Sequence, residues 1–444
     1  MTRRIAAARA SAPALATLAA ALALAALAAL AGCPSNELGT ISLDLAAAPG
    51  STLLDRVAQL RLTFTNPSQE IVLDRTDSGF DLVLDLDADG VVRSLIIDGF
   101  DAGGALVATG MSPPFPFAPI DARIVIYMAA PMSVGSAPAA LDPPRARPSV
   151  AALTYGAVFA GGADAAGGPS DAVQIYNAYD HSLVTGRPMP DQRTGATLAV
   201  TARNGVFVFG GTGPAGTATG TLWFFDTTTA PAGNYVVLEE QPALARTGRA
   251  AVATGSDRFL IGGAPPLQLA AGKVAEATGI AAISSGASVT GSDQVTTAVV
   301  VEEATGELLR VRGGAPEPLG AQRKNGTAAA LLGGRLAVFG GDAAPRDAVV
   351  VDAATGALTP VPGALAAGYA TLAVAATPRF VVVAGVVAGA TDTQVEILDA
   401  DTLAPRLAAP LPVSDVITAA IALPNEQVLL VGAGLHLFTP PPPP

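Results

Sequence analysis

The chain has 444 residues, half of them apolar and only 14% charged, and its formal net charge is −12. That balance lacks the basic footprint that nucleic acid or an anionic lipid surface requires. A single cysteine, Cys33, and two histidines, His181 and His436, exclude a disulfide framework and a thiolate metal centre and leave zinc short of ligands.

Arg3, Arg4 and Arg9 precede an uncharged, Ala- and Leu-rich run from Ala10 to Leu30, which closes on Leu30-Ala31-Gly32-Cys33. Such a segment is targeting rather than fold. It resembles a bacterial lipoprotein signal with its lipobox; the alternative is an uncleaved N-terminal anchor helix. The resemblance implies a signal peptide over residues 1–32, lipid on the Cys33 thiol and a tether over 33–40. Two or more acyl chains would anchor stably where one is marginal. Pro34, not aspartate, follows the cysteine. In Gram-negative lipoproteins that implies the outer membrane of the cell envelope, with the membrane as a partner through the lipid. Loss of three arginines makes the mature chain still more acidic.

Residues 41–130 predict a small β-sandwich, Ig-like or transthyretin-like. Seven short apolar runs carry the prediction, with clean alternation in Gln59-Leu-Arg-Leu-Thr-Phe-Thr65 and Asp81-Leu-Val-Leu-Asp-Leu86. Within them Asp85-Leu86-Asp87-Ala88-Asp89-Gly90 has the opening of a calcium loop, three alternating carboxylates and a glycine. Its twelfth position is Ile96 rather than glutamate. A hairpin with an ordinary Asp-Gly turn is the favoured reading, and no metal or cofactor is assigned. Residues 131–148, rich in Pro, Ala and Ser, form a linker.

From 149 to 440 one unit returns. Apolar runs end in glycine at Gly156–Gly162, Gly205–Gly211, Asp257–Gly263, Arg335–Gly341, Arg379–Gly385 and Gln427–Gly434. They recur at roughly 50 residues, the period of a kelch blade, with one long interval between Gly262 and Gly340. A second run follows each, and in the first five units it ends in an acid or amide, at Asn177, Asp226, Glu302, Asp352 and Asp399. Antiparallel meanders explain this grammar, and Leu267 to Ser292 then reads as an inserted loop. The glycine doublets resemble those of kelch-repeat β-propellers, a likeness that covers about two-thirds of the chain. The predicted fold is therefore all-β: a six-bladed kelch-type β-propeller preceded by the small sandwich. The last run, Leu435–Thr439, meets prolines that cannot continue a ladder, and residues 441–444 are a Pro tail. The ring thus needs a closing strand from the N-terminal side, within Met132–Pro144.

Arg147, Arg193, Arg246 and Arg323 precede the first glycine of their doublets by 14, 17, 16 and 17 residues. Equivalent positions would gather four guanidinium groups near the channel mouth, suited to an anionic ligand because the planar fork donates paired hydrogen bonds. The alternative is a staple, each arginine bonding loop carbonyls of its own or the next blade. No catalytic residue is assigned. Kelch oxidases would need copper and a cysteine linked to tyrosine, and the only cysteine lies at the anchor. The expected function is non-catalytic binding or scaffolding toward a protein or glycan partner at the cell envelope. Its rivals are a glycan-active envelope enzyme and a structural spacer.

Overall fold

The computed structural model describes residues 38–444 apart from 78, 88, 117–121, 229–231 and 239. Cys33 and the targeting segment lie outside the described residues.

Seven four-stranded antiparallel sheets, not six, follow residue 130. Numbered by their innermost strands, the blades begin at Ser149–Leu153, Thr197–Val200, Ala251–Gly255, Ile283–Thr290, Thr327–Ala330, Tyr369–Ala376 and Ala419–Ala422. The second strands are buried on both faces and read as unbroken apolar runs, such as Gly156–Ala160, Val206–Phe209 and Val428–Val431. Outer strands such as Asn234–Val237 and Lys273–Glu276 are largely exposed. This gradient follows from stacking, because a middle strand is covered by the sheet on either side.

The cores lie between blades. Val158 and Ile175 of blade one pack with Val208 and Trp223 of blade two. Corresponding clusters join every neighbouring pair, ending with Phe159 and Tyr176 of blade one against Leu429 and Leu437 of blade seven. The ring is therefore closed. Its seventh sheet takes an outer strand from the N-terminal side: Ser133–Ser136 pairs antiparallel with Leu435–Thr439. An exposed edge is thereby covered.

The stretch taken as an insertion is strand. Leu267–Ala270 and Lys273–Glu276 complete blade three, and Ile283–Thr290 opens blade four. Blade four escaped the count because its second strand, Thr296–Glu302, ends in Glu302-Glu303 instead of a glycine doublet.

Before the ring, a three-stranded sheet and a four-stranded sheet share one core. Leu38–Ala46 pairs antiparallel with Val83–Asp87 and parallel with Ala122–Tyr127. Leu60, Leu62 and Ile97 of the other sheet pack against Ile41, Leu43 and Ile126. This two-layer unit touches the ring at several points. Tyr127 is buried in the core between blades seven and one. The Val125 amide donates to Tyr179 O at 3.1 Å, Tyr179 Oη donates to Pro114 O at 3.0 Å, and Asn425 Nδ2 donates to Met111 O at 3.1 Å. The proline-rich C-terminal segment lies in the same groove, where Arg379 donates to the carbonyls of Pro441 and Pro442 at 2.8 and 3.1 Å. Prolines offer acceptors and no donors, so an arginine fork is a fitting partner.

Candidate functional site

The glycine doublet and the arginine before the next strand are two halves of one joint. The Gly162 amide of blade one donates to the Arg193 carbonyl at 3.0 Å, and the Gly211 amide of blade two donates to the Arg246 carbonyl at 2.7 Å. The doublets must be glycine here: Gly210 has φ +64, and a Cβ on it would stand 2.4 Å from Arg246 O. The guanidinium groups turn back into their own blades. Arg193 Nη1 donates to Gly210 O at 2.9 Å, and Arg246 Nη1 donates to Gly262 O at 2.9 Å. Each arginine therefore holds two blades, one by its backbone and one by its side chain.

Arg193 is wholly buried, with its guanidinium carbon 3.7 Å from the centre of the Trp223 ring. It also donates to Thr221 Oγ1, and Asp191 lies 3.5 Å away. Burial pulls its pKa down, and Asp191 opposes that pull. Arg323 holds the same place before blade five: its carbonyl accepts from the Gly326 amide at 2.7 Å, and its Nε is buried without a partner. In blade one the equivalent residue is Arg145, not Arg147. Arg145 is buried, donates to Gln174 Oε1 at 2.9 Å and has its pKa lowered to about 10 by burial. The offset of Arg147 from its glycine was the outlier among the four, and that signal already pointed two residues upstream.

The structure thus puts Arg193 and Arg246 into the inter-blade staple. Of the four arginines singled out, only Arg147 lines the central cavity. That cavity holds about 650 Å³ at the inner strands of blades one to four and seven. Its walls are mostly Ala, Gly, Ser, Thr and Val, with Pro148, Leu198 and Phe259 among them. A second arginine lines it, Arg249. Strand register aligns the pair, although the left-handed residue in blade three is Gly248, the neighbour of Arg249. Ser149, Thr197 and Ala251 each pair with the residue just before the glycines of their blade. Arg147, Gly195 and Arg249 each stand two residues before them. Sequence reasoning missed Arg249 because it precedes Gly262 by 13 residues while Arg147 precedes Gly161 by 14, and only strand register aligns the two.

The two histidines do not share a site. His181 is buried in blade one, with its Nδ1 2.6 Å from Tyr176 Oη and its Nε2 without a partner among the described residues. Burial lowers its pKa to about 4, against the pull of Asp180. His436 Nε2 lies 3.2 Å from Asp415 Oδ2. Neither gathers metal ligands, and no cluster of three such groups occurs among the described residues. In the aspartate loop, Asp89 is held by Arg93 in a two-pronged pair at 2.7 and 2.5 Å, which lowers its pKa to about 2.

The ring is a β-propeller. A solved structure described as a streptogramin B lyase is similar to this chain at 11% identity, with a TM-score of 0.48, over 69% of this chain and 96% of its own. No residue role is carried across at that distance. No protein-family model and no curated protein matches the sequence.

Proposed function

We propose that this protein is a lipid-anchored propeller of the cell envelope that binds a protein or glycan partner without transforming it. The central cavity carries this reading. Its walls are small and mostly uncharged, so recognition falls to the loops and to the two arginines at the strand starts. Arg193 and Arg246 are tied to backbone carbonyls. Fold alone assigns no reaction. Arg3 to Cys33 supports export and lipidation of Cys33, and Pro34 supports the outer membrane. Kinship with kelch repeats, and an Ig-like or transthyretin-like type for the two-layer unit, belong to the same reading and rest on the glycine doublets and the strand pattern.

The test has two arms. Mass spectrometry of the N-terminal peptide should find Cys33 carrying acyl chains, and Cys33→Ala should leave the protein unanchored. Immobilised protein should capture a specific protein or glycan from envelope extract. Release of new reducing ends from envelope glycans by the purified protein would overturn the non-catalytic part, and an unmodified Cys33 would overturn the anchor.

A further inference from the structure

Within that binding role, we infer that the mouth of the central cavity is a site for an organic anion of sugar size, with Arg147 and Arg249 as the groups that hold its carboxylate or phosphate. The argument starts from placement. Both arginines stand two residues before an inner strand, in blades one and three. Blade two puts Gly195 at the same position between them, and all three line the cavity. The place a Cβ would take at Gly195 is held by Thr247 Cγ2, 2.6 Å away, so no third side chain enters the cavity between the two arginines.

Arg147 is exposed, and its side chain makes no hydrogen bond or ion pair among the described residues. Its backbone is left-handed at φ +49. A non-glycine, non-Asn residue in that region is uncommon, and it fixes where the side chain leaves the backbone. Arg249 has one partner, Glu303, at 3.5 Å, with both side chains about two-fifths exposed (38% and 43%). An exposed pair at that distance is weak, so an incoming anion displaces it readily. Arg249 also stands near the stapled Arg246, whose pKa is held down by burial first and then by the Arg249 charge. On a chain with a net charge of −12, this is a local reversal of sign that draws anions.

The remaining walls set the size and limit the chemistry. A volume of about 650 Å³ lies within the range of small-ligand sites, roughly 300 to 1,000 Å³. Ser149 Oγ and Thr197 Oγ1 already donate to the carbonyls of Ala196 and Arg249. They keep only acceptor capacity, so the guanidinium groups are the main donors offered to a ligand. A neutral sugar meets the same two forks without the opposite charge that strengthens an anion's bonds to them.

The experiment is calorimetric titration of the full chain with a galacturonate trimer, inorganic phosphate and the neutral maltotriose. Binding of the trimer alone assigns a carboxylate ligand, and binding of phosphate assigns a phosphate ligand. Arg147→Ala/Arg249→Ala should weaken the bound anion at least tenfold with an unchanged thermal melt, and the exposed Arg203→Ala should leave affinity intact. Maltotriose binding as well as either anion, or wild-type affinity in the double variant, would overturn the site. Capture of an envelope partner by that same variant would show that the broader binding role survives the loss of this site.

Discussion

Arg193 and Arg147 are the same residue type one blade apart, and they have opposite fates. Arg193 is enclosed in the wall, stacked on Trp223 and bonded to the Gly210 carbonyl. Arg147 lines the cavity with a left-handed backbone and no side-chain partner among the described residues. The difference lies in two residues of offset. At the earlier position the side chain turns into the blade and its carbonyl rivets the neighbour; at the later position it points to the axis. Joint and mouth are therefore separable, one serving stability and the other recognition.

The largest expected effect breaks the joint. Gly210→Ala forces a Cβ to within 2.4 Å of Arg246 O and 2.9 Å of Leu244 O at φ +64, and should cost about 4 kcal/mol in urea denaturation. Arg193→Ala comes next, at roughly 3 kcal/mol, from the lost stack on Trp223 and the orphaned Gly210 carbonyl. Wild-type stability in either would show that the joint is dispensable.

Next comes a pH effect. His181 has its pKa lowered from 6.5 to about 4, so the unfolded chain binds a proton first as the medium acidifies. Its contribution is complete above about pH 6.5 and falls as pH drops toward 4, by about 3 kcal/mol. His181→Gln, beside Tyr176, Tyr127 and Asp180, should flatten the stability curve in that window; an unchanged slope would assign the loss to other groups. Arg379→Ala should cost about 1 kcal/mol and raise hydrogen exchange near Met111, where the proline segment meets the two-layer unit. Smallest is the mouth: Arg147→Ala and Arg249→Ala should each shift stability by less than about 0.5 kcal/mol.

The sequence showed the strand grammar because double burial writes continuous apolar runs, and it showed the doublets because the joint forbids a Cβ. Blade four was hidden by a shared turn. Glu302 Oε2 accepts from the Thr305 amide and hydroxyl at 2.6 and 2.8 Å, as Asp352 Oδ1 does from Thr355 at 2.7 Å. In blade five that turn joins the third strand to the fourth, and in blade four the second to the third. Reading both alike shifted the frame by one strand and lost a blade. The joint there lacks an arginine as well: the Gly263 amide reaches Ile283 O at 3.1 Å. The arginine pattern was legible, but its chemistry was not. Whether a guanidinium turns into a wall or toward an axis depends on strand register, which spacing from a glycine only approximates.

The separation of joint from mouth is tested most directly by one titration with the bound anion, run where Arg193→Ala is still folded. The account predicts wild-type affinity for Arg193→Ala and affinity at least tenfold weaker for Arg147→Ala/Arg249→Ala. Loss of binding in Arg193→Ala with full binding in the double variant would contradict it.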